Sequence, residues 1–141
     1  MQRVSRAEVR VEGAIVGAID AGLLVLVGIQ PDDNTNSCER MIERLLAYRI
    51  FEDEAGKMNR SLRDTGGGLL LVSQFTLAAD TRSGLRPGFS TAAAPAVAEQ
   101  LFEVLVGLAR ARWPVVATGR FGAHMEVELV NNGPVTFLLE N

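Results

Sequence analysis

Two runs of period-two sequence, His124 to Leu129 and Val135 to Glu140, flank a segment that contains the dipeptide Gly133-Pro134. A period of two marks an extended strand, whose successive side chains leave opposite faces. Met125, Val127 and Leu129 alternate with His124, Glu126 and Glu128 before the break. Val135, Phe137 and Leu139 alternate with Thr136, Leu138 and Glu140 after it. Glycine tolerates almost any φ, whereas proline fixes φ and has no N–H, so no regular ladder runs undisturbed through this step. Taken alone, Asn131-Asn132-Gly133-Pro134-Val135-Thr136 reads as the four-residue turn of a hairpin. Both faces of that hairpin are substantially apolar, which predicts a covered sheet and points to a dimer.

A second unusual segment is Leu69-Leu70-Leu71-Val72-Ser73-Gln74-Phe75-Thr76-Leu77, which follows Gly66-Gly67-Gly68. It starts as a buried strand and then places three neutral hydrogen-bonding side chains among apolar ones. Strand alternation predicts Gln74 and Thr76 on one face, with Ser73 and Phe75 on the other. An unpaired buried polar group costs ~1–3 kcal/mol, so these residues either satisfy one another at a sheet edge or face a cleft.

The remaining pattern predicts a single α+β domain over residues 1–141, a mostly antiparallel, barrel-like sheet with two helices. Val4 to Val11, Ala14 to Ile19 and Leu23 to Ile29 read as strands, and Tyr48 to Phe51 and Lys57 to Leu62 as short ones. In the first helix Asn36 and Glu39 resemble a cap pair, and Cys38, Met41, Ile42, Leu45 and Leu46 form the apolar stripe. Pro95 opens the second, whose Val97, Leu101, Phe102, Leu105 and Leu108 face the core, and Trp113-Pro114 ends it. Repeats and low-complexity tracts are absent.

Residue inventory narrows the chemistry. His124 is the only histidine and Cys38 the only cysteine, so neither a multi-histidine zinc site nor a disulfide can form within the chain. No Gly-Xaa-Ser-Xaa-Gly elbow occurs, and the glycine clusters at 13–17 and 66–68 read as turns. His124 reads as a surface or interface residue, and Cys38 as a small core residue. No metal or cofactor is expected. The apolar runs are too short to span a membrane and no secretory signal core follows Met1-Gln2-Arg3, so a cytoplasmic location is the default expectation. Net charge is −3, with 13 Arg and one Lys. Binding to a long nucleic-acid helix would call for a basic protein, so any RNA contact should be local, as at a terminal nucleotide. Thr81-Arg82-Ser83-Gly84-Leu85-Arg86-Pro87, with two arginines and no acid, is the candidate for that contact or else a solvated loop.

Ser-Gln-Phe-Thr-Leu at 73–77 and Asn-Xaa-Gly-Pro-Val-Thr at 131–136 resemble the two signature motifs of the D-aminoacyl-tRNA deacylases, also called D-tyrosyl-tRNA deacylases. The resemblance extends through residues 2–7, Gly22 to Gly28, Arg86-Pro87 and Thr118 to Gly122. It implies hydrolysis of the ester of D-aminoacyl-tRNA, with mischarged glycyl-tRNA as a further substrate. The partners implied are the 3′ aminoacyl-adenosine end of that tRNA and a second copy of the chain, with neither membrane nor DNA. It implies that Ser73, Gln74, Phe75 and Thr76 face the substrate ester. A Gly133-Pro134 cis peptide would reach across a homodimer and reject an L side chain. Asn131, Arg82, Arg86, Phe89 and Met125 are implied as substrate-binding. Either Thr76 is the nucleophile, or the 2′-hydroxyl of the terminal adenosine assists while backbone N–H groups near Phe75 and Thr76 hold the oxyanion. The second is preferred, because nothing in the sequence could deprotonate Thr76. An activated ester needs little more than positioning and an oxyanion hole.

The chain departs from the family pattern at Asn132, where Asp is usual, at Ala78, where Tyr is usual, and in a first strand that begins a few residues late. Two other classes are open at this point: a non-catalytic module that binds RNA ends, and an inactive dimeric scaffold.

Overall fold

The computed structural model describes residues 1–141. Strands β1 (Gln2–Val11), β2 (Ala14–Ile19) and β3 (Gly22–Val27) are followed by helix α1 (Thr35–Ala47). A small ribbon, β4 (Phe51–Glu52) with β5 (Met58–Arg60), leads through the one-turn α2 (Leu62–Thr65) into β6 (Gly68–Ser73). A 3-10 helix (Phe75–Ala78), helix α3 (Pro95–Arg112), β7 (Val116–Thr118) and β8 (Glu126–Thr136) complete the chain.

The main sheet runs β2-β1-β3-β6-β7, and β8 pairs with the other edge of β1. β1 is antiparallel to β2, β3 and β8, whereas β3, β6 and β7 run parallel. The barrel-like α+β expectation holds, with a mixed sheet in place of a mostly antiparallel one and three α-helices in place of two. The parallel pairs follow from helical crossovers, α1 between β3 and β6 and α3 between β6 and β7. The sheet curls until β2 meets β7: a Cβ at Gly17 would lie 2.2 Å from the Thr118 carbonyl oxygen, so only glycine permits that approach.

Two apolar clusters explain why β3 and β6 read as unbroken apolar runs. Leu23, Val25, Leu69 and Leu71 face α1 and α3, packing with Ile42, Leu46, Phe102 and Leu105. Leu24, Leu70 and Val72 face inward against Val4, Ala7 and Val9. Strands covered on both faces need apolar residues at every position. Cys38 sits in the helix-side cluster, where burial pushes its thiol pKa up.

Several local expectations are corrected. The α1 cap box is Asn34 with Ser37, not Asn36 with Glu39, whose carboxylate instead meets Arg112 at 3.3 Å. On α3, Val97 is exposed, and Ala98, Val106 and Ala109 join Leu101, Phe102 and Leu105 inside. Ser61 and Asp64 cap α2, which takes Leu62 out of the predicted strand. Most consequentially, there is no terminal hairpin. β8 continues along β1 from Glu126 to Thr136, with Val4 opposite Asn131 and Gln2 opposite Thr136. Five steps on β8 thus match two on β1, and the excess residues around Gly133 loop out of the ladder. No helix is long and apolar enough to cross a membrane.

Candidate active site

β6 ends at Ser73, opposite Val27 of β3, and the Gln74 N–H donates to the Val27 carbonyl at 2.7 Å. The backbone then leaves the sheet and turns into the 3-10 helix at Phe75. The predicted strand alternation therefore stops at Ser73. Gln74 and Thr76 still meet, but through the turn: the Gln74 carboxamide Nε2 donates to Thr76 Oγ1. A carboxamide is neutral and cannot take up the hydroxyl proton. The leading N–H groups of such a helix, those of Phe75 and Thr76, have no intrahelical acceptors.

Ser73, Gln74 and Phe75 form one side of a small cavity, with Phe102 and Phe121 among its other walls. Phe102 and Phe121 are paired at 6.0 Å between ring centroids. Phe75 is exposed and carries Phe89 at 5.3 Å. Sequence reasoning missed Phe102 and Phe121 as walls, since one is an ordinary helix core position and the other sits in a turn.

The loop around Gly133 is built from opposite ends of the chain. The Gly133-Pro134 peptide is cis and Gly133 has φ +147°. The Asn131 side chain ties the loop's base. Its Oδ1 accepts from the Val135 N–H at 2.6 Å, and its Nδ2 donates to the Thr136 hydroxyl at 3.0 Å and to Gln2 Oε1 at 3.2 Å. Arg3, buried, donates to the Asn132 carbonyl. Gly133 and Pro134 are exposed and do not line the cavity beside Ser73, Gln74 and Phe75. A larger cavity of about 360 Å³ lies between the two motifs, walled by Leu77 and Ala78 on one side and Thr136 and Phe137 on the other.

The family model described as D-Tyr-tRNA(Tyr) deacylase matches residues 1–140. The chain belongs to this family. It is 69% identical over 140 residues to the D-aminoacyl-tRNA deacylase of Ectopseudomonas mendocina, covering 99% of this chain and 97% of that protein. It is 65% identical over 141 residues to that of Pseudomonas aeruginosa, at 100% and 97% coverage. A solved structure described as "c-Myc DNA Unwinding Element Binding Protein" superposes with TM-score 0.93 at 39% identity, covering 99% of this chain and 95% of that one. A second, described as "a probable eukaryotic D-amino acid tRNA deacylase", gives TM-score 0.83 at 18% identity over 94% and 92%, a likeness of fold.

The remaining residues that the deacylase resemblance singled out divide by surroundings. The loop 81–87 is closed by reciprocal backbone bonds between Asp80 and Gly88, at 2.7 and 2.9 Å. Arg82 folds back onto Asp80, Nε to Oδ1 and Nη2 to Oδ2, each at 2.8 Å. That guanidinium holds the Asp80 carboxyl well below the usual carboxylate range, and the pair is close to neutral outward. The acid that Arg82 meets lies one residue before the stretch 81–87, and of the two loop arginines Arg86 is the one without a carboxylate partner. Met125 is not among the residues that line the cavity. It packs against the inward cluster, and its Sδ accepts the Arg120 N–H at 3.4 Å. His124 is exposed, and no group of three or more His, Cys, Asp or Glu could hold a metal ion.

Proposed function

We infer that this enzyme hydrolyses the ester of D-aminoacyl-tRNA, releasing tRNA and the free D-amino acid. The observation that carries the reading is the 69% identity over 140 residues to a D-aminoacyl-tRNA deacylase. The chain also has both signature motifs complete in Gly, Pro, Gln and Thr.

The terminal adenosine lies against Ser73, Gln74 and Phe75, where the exposed ring of Phe75, paired with Phe89, offers a base a surface to stack on. Water attacks the ester carbonyl, and the charge that develops on its oxygen is taken by the N–H groups of Phe75 and Thr76. Collapse expels the ribose 3′-oxygen, with the neighbouring 2′-hydroxyl passing the proton. Thr76 positions the ester and is not the nucleophile, because its only side-chain partner is the Gln74 carboxamide. Preorganised N–H donors at an oxyanion typically supply ~10²–10³-fold each.

The active unit is a symmetric homodimer in which the Gly133-Pro134 loop of one protomer enters the cavity of its partner. Its carbonyls take the substrate ammonium, and no space is left for an L side chain. Two features support this reading: within one chain the loop stands outside the Ser73–Phe75 cavity, and apolar Val130, Phe137 and Leu138 are exposed beside it. A two-fold interface presents each loop to the other protomer's site. The cytoplasm, where aminoacyl-tRNA is used, is the proposed location. Net charge of −3 argues against duplex DNA as the partner.

Release of amino acid from D- and L-aminoacyl-tRNA, with the particle mass measured in parallel, tests the reading. D-selective release by a species of twice the chain mass is expected. Release from neither substrate overturns the activity, and full activity in a monomer overturns the shared site.

A further inference from the structure

We propose that Arg86 and Arg120 form a two-point clamp for the phosphodiester groups of the single strand leading into the aromatic cavity. Arg82 takes no part. The inference rests on the functional reading above and concerns how the same site holds its RNA.

Position and charge single out these two arginines. Arg120 directly precedes Phe121, a wall of the cavity that Phe75 also lines. Arg86 lies in the loop whose closure at Asp80 and Gly88 is followed at once by Phe89, and Phe89 rests on Phe75. One guanidinium thus belongs to a segment that walls the cavity and the other to a segment that packs on Phe75, a residue of the same wall. Both side chains are exposed, and neither has a carboxylate partner. Arg82 is equally exposed but is already engaged by both oxygens of Asp80.

A chain of net charge −3 draws in a polyanion only where its cations are uncompensated. A free guanidinium fits a phosphate through paired N–H donors, and releasing the counterions of that phosphate favours binding. Reciprocal backbone bonds at the base of the Arg86 loop hold its position, so little order is lost when the strand docks. Beside Arg86 stands Leu85, fully exposed, which offers the strand an apolar surface.

The test follows KM and kcat for D-tyrosyl-tRNA between about 50 and 200 mM salt, in the unaltered dimer and in Arg82→Ala, Arg86→Ala and Arg120→Ala. D-tyrosyl-adenosine, which has no phosphate, is the second substrate. For each single-strand phosphate no longer held by a guanidinium, the slope of log KM against log salt should fall by ~0.7, about 2.5-fold over that range. Arg86→Ala and Arg120→Ala should each show this fall, the double variant twice as much, and Lys at either position should restore most of it. Arg82→Ala should keep the full slope, and D-tyrosyl-adenosine should show no KM shift in Arg86→Ala or Arg120→Ala. The clamp is overturned by unchanged slopes in those two variants, by an equal fall in Arg82→Ala, or by an equal KM rise on D-tyrosyl-adenosine. Failure of the unaltered dimer to hydrolyse either substrate would overturn the functional reading itself, and the clamp with it.

Discussion

Arg3, near the start of β1, donates from Nε to the carbonyl of Asn132 at 2.9 Å, joining residues 129 positions apart at the base of the Gly133 loop. Its Nη1 donates to the Ile50 carbonyl at 3.0 Å, and Glu52 lies 3.7 Å away. One forked cation therefore fixes the loop to β1 and to the β4 segment. Arg3→Ala would leave both carbonyls without their donor, at ~1–3 kcal/mol each. A loss of about 2–4 kcal/mol in denaturant unfolding is expected, with a lower ratio of D- to L-aminoacyl-tRNA hydrolysis. Arg3→Lys should recover part of the stability, since a single ammonium cannot reproduce the fork.

Gly133→Ala should weaken discrimination more than it weakens the fold. At φ +147° an L side chain is strained, at a cost of about 1–3 kcal/mol. Its Cβ would also sit 2.6 Å from Val135 Cγ2 and 3.2 Å from Arg3 Nη2. The expected result is a smaller D-to-L rate ratio in a folded protein. An unchanged ratio would remove the loop from chiral selection.

Neighbouring asparagines should behave differently. The Asn131 amide binds on both of its polar ends, so Asn131→Ala should cost about 1–3 kcal/mol and lower activity. The Asn132 side chain is exposed and makes no hydrogen bond within the chain, so Asn132→Asp should change stability by less than about 0.5 kcal/mol and the D-specific rate only a few-fold. Thermal midpoints and initial rates of the two variants provide the comparison.

The chemistry is separable by substrate and residue. Thr76→Ala should slow hydrolysis without abolishing it, while His124→Ala and chelators leave the rate intact. A tRNA ending in 2′-deoxyadenosine, charged on its 3′-hydroxyl, should bind and barely react. Normal turnover of the deoxy substrate together with a dead Thr76→Ala enzyme would make Thr76 the nucleophile.

Acid should loosen the fold in a defined window. Arg63 holds the Glu43 carboxyl below its ordinary value, Arg10 does the same for Glu128, and Arg82 for Asp80. Asp53 and Asp64 are lowered by hydrogen bonds from the Asn59 side chain and the Ser61 backbone. A carboxylate depressed in the folded state adds stability that is fully present above its unfolded pKa of about 4 and is lost as pH falls through the folded value. The carboxylate contribution to the thermal midpoint should therefore stay level down to about pH 5 and decline below about pH 4.

Local chemistry made much of this protein legible before any tertiary partner was known. The apolar runs of β3 and β6, the Pro95 start of α3 and the two motifs are properties of short segments, set by side-chain periodicity and by the backbone limits of glycine and proline. What stayed hidden depended on partners far away in the chain. Whether Gly133-Pro134 closed a hairpin or bulged from a strand turned on β1 offering Gln2 and Val4 as partners, a pairing across more than 120 residues. The strand rule that places Gln74 beside Thr76 fails where β6 ends, and the turn brings the two together by another route. Arg3 read as one arginine among 13 because burial and the carbonyls it meets exist only after folding. Charge behaved the same way. Composition counted Arg82 and Arg86 alike, and only the fold of the loop onto Asp80 left one of them free, because electrostatic compensation depends on distance in space and not on position in the chain.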